Sequence, residues 1–149
     1  MIVTARKLAN AGKQRPRQAD LRRAISTAYY AVFQALAKDA ADLLVGVGPR
    51  RALPAWAHVY RALEHGLAKS ACKEVRNLGF PAGIVSCAGT CIELQEVRHR
   101  ADYDPNSRFT RAEALDWVSR ADGAISALRN TPRADRRAFA ILLLLRKRP

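Results

Sequence analysis

Nine residues near the middle of the chain, Val97 to Pro105 (VRHRADYDP), concentrate most of the side chains that could do chemistry. Arg98, His99, Arg100, Asp102 and Tyr103 fall within about two turns at the end of a predicted helix that Pro105 stops. On a helix, residues three to five apart lie on or near one face, so Arg98, Asp102 and Tyr103 can present a cation, a carboxylate and a phenol together. That set suits a phosphate. The same spacing also suits an intrahelical ion pair on a solvated face, and the local sequence leaves both readings open.

The elements that position this segment are helical throughout. No alternating apolar–polar run of useful length appears, and the class expected is all-α. A short basic helix at Val3 to Ala11 precedes a polar linker at Gly12 to Pro16. The longest apolar stripe, from Gln18 to Val45, carries Leu21, Ile25, Ala28, Tyr29, Val32, Phe33, Leu36, Ala40, Leu43 and Leu44 at spacings of three and four, and ends at Gly46. Pro54 opens a third helix that the pattern extends to Lys73 over Trp56, Val59, Tyr60, Leu63 and Leu67. A fourth, carrying Ile84, Val85, Ala88, Cys91, Ile92 and Leu94, ends in the VRHRADY segment. Thr110 and Glu113 form a capping box ahead of a fifth, and Thr131-Pro132 starts a last helix ending in AFAILLLLRKR. Four long helices on short connections predict an antiparallel four-helix bundle with short basic helices at both termini, one domain over 1–149 with basic extensions at 1–17 and 130–149.

Charge is unevenly placed. The formal +13 is concentrated at the ends: residues 1–23 and 129–149 together hold +12, while the middle nearly cancels. An anionic partner is favoured, and the dominance of Arg over Lys suits bidentate phosphate contacts, although a GC-rich coding sequence gives the same bias. Aromatics are scarce in the tails, which argues for backbone contacts over base stacking. Cys72, Cys87 and Cys91 form no CxxC and read as small core residues in a reducing, cytoplasmic setting, with no metal and no cofactor. The Ala138–Leu145 run is too short to span a bilayer, which needs roughly 20 apolar residues. It is apolar nearly all round, which suggests a dimer seam or a place under the bundle.

Within the second helix, Tyr29 falls on the core stripe. Tyr30 sits at its edge, placed either to pack or to line the Arg98 cleft. His58 and His65, two turns apart on the predicted third helix, read as a boundary or surface pair.

Two segments, DLRRAISTAYYAVFQAL (Asp20 to Leu36) and ELQEVRHRADYDP (Glu93 to Pro105), resemble the HEPN family of small helical bundles, in the branch with an ADYD ending. The resemblance spans about Asp20 to Leu128. It implies a homodimeric bundle, RNA as the ligand, metal-independent endoribonuclease activity of toxin or defence type, and in several members a small nucleotidyltransferase partner. Carried onto this chain, the motif's Arg is Arg98 and its polar neighbour is His99, but Tyr103 stands where the family has His. Metal-free cleavage needs a base, an acid and a cation. A phenol, with an ordinary pKa of about 10, is a poor base without a large shift, and Asp102 beside Arg98 is weakened in that role.

The site expected is therefore Arg98, Asp102 and Tyr103 for catalysis, with His99, Arg100, Arg22, Arg23 and Tyr30 for nucleic-acid binding and no metal. The alternative is a non-catalytic interaction module that docks a small nucleotidyltransferase or a nucleotide. A purely structural helical protein ranks third. None of the three involves a membrane.

Overall fold

The computed structural model describes residues 1–145, which form seven α-helices and no strand packed as a compact helical bundle. Arg146, Lys147 and Arg148 of the basic C-terminal segment lie outside the described residues. The helices are α1 (Ile2–Ala9), α2 (Gln18–Leu44), α3 (Leu53–Ala62), α4 (His65–Glu74), α5 (Ala82–Tyr103), α6 (Arg111–Arg129) and α7 (Arg133–Leu144).

α2, α5 and α6 pack on one another and hold the core. The α2 stripe forms as its spacing predicts except at Phe33, which is only partly buried, and at Leu44, which is exposed at the helix end. Leu21, Ile25, Ala28, Tyr29, Val32, Leu36 and Ala40 are buried, against Ile84, Cys87, Ala88, Cys91, Leu94 and Val97 of α5 and Val118, Ala121, Ile125 and Leu128 of α6. Burying one such aliphatic side chain contributes roughly 1.5–3 kcal/mol, so this three-helix contact dominates the fold. Gly46 ends α2 at φ +106°, a left-handed position that glycine adopts without strain. Gly83 lets the first turn of α5 lie against the last turn of α6, because a Cβ there would come within 2.9 Å of the Ala127 carbonyl oxygen.

Both terminal helices are packed members of the bundle. Ala5 and Ala9 of α1 are fully buried against α2 and α6. α7 lies on α2 and α4 and inserts Phe139, Ala140 and Leu143, with Phe139 meeting Phe80 edge-on at 5.9 Å between ring centroids. The apolar run is thus divided, since Ile141 and Leu145 remain exposed.

One predicted element is corrected. The helix expected from Pro54 to Lys73 breaks at Leu63 and Glu64, both in extended conformation. α3 packs on α2, where Trp56 stacks on Tyr60 and its Nε1 donates to Asp42 Oδ1 at 2.8 Å. α4 packs instead on α5 and α7 through Ala68, Ala71 and Cys72. A straight helix across this span would reach about 30 Å and could not serve both surfaces. Leu63 turns inward at the break and is buried. His58 and His65 consequently belong to different helices.

The capping box forms as the sequence predicts: Thr110 Oγ1 accepts from the Glu113 backbone N–H at 3.1 Å, and the Glu113 carboxylate accepts from the Thr110 N–H. No described helix is long and apolar enough to cross a membrane.

Candidate functional site

Arg98 lies between α2 and α5, its side chain only 16% exposed. Nη2 donates to Tyr30 Oη on α2 at 2.8 Å, and Nε lies 2.7 Å from Asp102 Oδ2 one turn on. Nε is buried and makes no aligned hydrogen bond, so its contact with Asp102 is an ion pair by proximity rather than a directed bond. The guanidinium carbon sits over three phenol rings, 5.7 Å from Tyr29, 5.3 Å from Tyr30 and 5.6 Å from Tyr103. Burial opposes its charge, but Tyr30, Asp102 and Tyr103 more than offset this and raise its pKa, so the cation is permanent. Nη1 has no protein partner among the described residues and is not sealed from solvent.

The intrahelical ion pair forms, but with the guanidinium turned inward against α2 rather than out on a solvated face. Asp102 Oδ2 also accepts from Ser26 Oγ at 3.3 Å, so this carboxylate holds the guanidinium against α2. Beside the site runs a groove of about 570 Å³ lined by Lys69, Gln95, Glu96, Arg98, His99 and Arg100. Lys69 is paired to Glu96 at 3.1 Å. His99 and Arg100 are exposed, and His99 lies 4.9 Å from the Tyr103 ring. Tyr103 is 64% exposed, at the rim. The C-terminal end of α5 carries the negative pole of the helix dipole, so any anion held here depends on side-chain cations.

Arg22 is placed differently from its expected role. It donates through Nη1 to the Ala101 carbonyl and through Nη2 to that of Asp104, each at 2.8 Å, with further bonds to the Pro105 and Ser107 carbonyls. Its donors are committed to the α5–α6 connection, one turn along α2 from Gln18, which clasps the Phe109 backbone with its amide oxygen and nitrogen. Arg23 is exposed on α2.

The sequence pairs His65 with His58, but the structure sets it against α2. At the first residue of α4 its ring stacks on Phe33 with centroids 4.1 Å apart, and Nδ1 lies 2.6 Å from Tyr29 Oη. Tyr29 and Tyr30 separate it from Arg98, their rings 5.6 and 5.9 Å from the imidazole. Burial, and after it the Arg98 charge, lowers the His65 pKa and favours the neutral ring. Burial chiefly, with Cys91 adding to it, pushes the Tyr29 phenol well above its ordinary value. Tyr29 is thus both the core residue its register predicts and the link between a histidine and the site. The only sequence signal was a histidine at a break that periodicity conceals.

The cysteines are free and buried. Burial pushes the Cys87 thiol up to about 12, and a hydrogen bond with Cys91 together with burial holds Cys72 protonated, which leaves both poor nucleophiles. The described residues contain no group of three or more His, Cys, Asp or Glu that could hold a metal ion.

Comparison with protein-family models, with curated proteins and with solved structures returned no match.

Proposed function

We propose that the chain is a HEPN-like, antiparallel helical bundle that acts as a homodimer and binds RNA through Arg98. The observation that carries this reading is the state of the Arg98 guanidinium: held by Tyr30 and Asp102, faced by three phenol rings, and left with Nη1 open to solvent beside a basic groove. A cation fixed in this way loses little rotamer freedom on meeting a phosphate, and a guanidinium matches phosphate geometry. Arg100 and His99 extend the contact along the exposed edge of the groove.

The decisive experiment is titration of the wild-type chain and Arg98→Ala with a mixed-sequence oligoribonucleotide at low and moderate salt. Loss of one charge-assisted contact, worth about 1.5–3 kcal/mol, lowers affinity by roughly 10- to 100-fold and makes the salt slope shallower. No RNA affinity at low salt, with a nucleotidyltransferase recovered alongside the chain, would instead favour the non-catalytic docking module. Sedimentation of the same samples tests the homodimer.

A further inference from the structure

Basic side chains gather in both terminal parts of the sequence, and the fold sends them to opposite ends of the bundle. One of those ends adjoins the Arg98 groove. We propose that this end, built from the linker between α1 and α2, the start of α2 and the α5–α6 connection, carries the phosphate backbone of a single RNA strand onward from the groove. The inference rests on the RNA-binding reading given above and adds to it a second surface outside the groove.

Three sets of contacts assemble this surface. Arg111, at the start of α6, donates to the carbonyls of Ala11, Gly12 and Lys13, which seats the linker and its cations Lys13, Arg15 and Arg17 on this end. Gln18, the first residue of α2, donates from Nε2 to the Phe109 carbonyl at 2.8 Å and accepts the Phe109 N–H at Oε1 at 3.0 Å. That clasp brings Arg17 and Arg108, each its neighbour in sequence, close together. The Glu113 carboxyl at the start of α6 is held below its ordinary value first by the Thr110 bonds, with the charge of Arg100 adding to them. Arg100 therefore reaches this end from the last turn of α5 while also lining the groove, and stands at the junction of the two.

The cations are available. Lys13, Arg15, Arg17, Arg23, Arg100 and Arg108 are exposed and form no ion pair among the described residues. The neighbouring carboxylates are locally engaged: Asp102 with Arg98, Asp104 with Ser107 and Asn106, and Glu113 with Thr110, while Asp20 stands in the first turn of α2. Phe109 is buried, so this end offers charge rather than a ring on which a base could stack, and the contact is with phosphates irrespective of sequence. Passing from the flank of α5 onto the end of the bundle demands a sharp turn, which a single strand makes more cheaply than a duplex. The opposite end supplies a comparison. Arg129 lies about 27 Å from Arg111 along α6, and Arg133 and Arg137 follow in the first turns of α7, all three exposed and away from the groove.

The test measures binding of the full chain to fluorescein-labelled oligouridylates of about four and about 16 nucleotides, the range of site sizes on single-strand surfaces, across a salt series. A variant combining Arg15→Ala, Arg17→Ala and Arg108→Ala loses roughly tenfold or more in affinity for the long strand, and its logarithmic salt slope becomes shallower by about 2, at about 0.7 per phosphate contact. The short strand, held in the groove, keeps its affinity within about threefold in that variant and loses it in Arg98→Ala. A variant combining Arg129→Ala, Arg133→Ala and Arg137→Ala removes the same charge from the opposite end and leaves both strands within about threefold. All six side chains are exposed and unpaired, so both variants fold as wild type does.

Long-strand affinity and slope unchanged in the first variant, an equal loss on both strands, or an equal loss in the opposite-end variant overturns this surface and leaves the groove reading standing. Wild type that binds neither strand, or short-strand binding indifferent to Arg98→Ala, overturns the RNA reading itself, and this inference with it.

Discussion

Arg22 and Arg98 both reach toward the end of α5, and they differ in what their donors do. Arg22 spends its guanidinium on four backbone carbonyls, that of Ala101 in the last turn of α5 and those of Asp104, Pro105 and Ser107 in the connection that follows, where the helical hydrogen-bond ladder has ended. Arg98 is held by one phenol and one carboxylate on its own helix, and keeps Nη1 open. The first arginine closes a corner; the second is available to a ligand. Net charge therefore overstates binding capacity, because a guanidinium can serve a ligand only to the extent that the protein has not used its donors. Arg136, ion-paired to Asp39 across the α2–α7 contact at 2.6 Å, and Arg111, bonded to carbonyls of the Gly12 linker, are further cations in structural use.

The comparison breaks most readily at Arg22. Arg22→Ala removes four charge-assisted bonds and strips the part-buried Ala101 and Ser107 carbonyls of the guanidinium that pairs them, so urea unfolding should show a loss of about 3 kcal/mol, with RNA affinity unchanged below the transition. Unchanged stability would mean that the two arginines are not different in kind. Arg98→Ala inverts the pattern: affinity falls roughly 10- to 100-fold while stability falls by about 1 kcal/mol, since Asp102 is left facing solvent rather than buried. Thr110→Ala sharpens the structural side. It deletes the capping box that starts α6 beside the Arg22 corner and should cost about 1 kcal/mol, read as a lower urea midpoint with an unchanged slope and no effect on RNA affinity.

What the sequence disclosed follows the range of the interactions involved. The α2 stripe, the capping box at Thr110 and the end of α5 before Pro105 are decided within a few residues, and spacing alone revealed them. The partnership of Tyr30 with Arg98 was half legible: register set Tyr30 at a groove edge, but the 2.8 Å bond joins residues 68 apart. Arg22 was read as a ligand contact because nothing nearby in sequence shows the carbonyls it binds, which lie about 80 residues on. His65 was hidden for another reason. The apolar pattern runs unbroken through Leu63 and Leu67, while the packing of α3 on α2 and of α4 on α5 and α7 forces the break that turns His65 onto Phe33. Tertiary demand overrode local periodicity at this break.

The smallest effect separates His65 at the start of α4 from the α2–α7 contact by the sign of its pH dependence. His65 has its pKa lowered in the folded chain, by burial first and Arg98 second, so between that value and the ordinary histidine value of about 6.5 the unfolded chain binds more protons than the folded one. Stability from this group is complete above about pH 6.5 and is lost as pH falls toward the folded value. Asp39 is shifted the other way, its pKa raised by burial against the pull of Arg136, so the folded chain holds its proton more tightly and this carboxylate favours folding as pH falls through the acid range. Urea unfolding from pH 8 down to pH 5.5, run on wild type and His65→Gln side by side, isolates this histidine, because every other titrating group is common to the two proteins. Wild type should lose stability across that interval and His65→Gln should show a flatter profile. Parallel curves for the two proteins would mean that the imidazole is as free to charge in the folded chain as in water, and that its packing against Phe33 and Tyr29 does not favour the neutral ring.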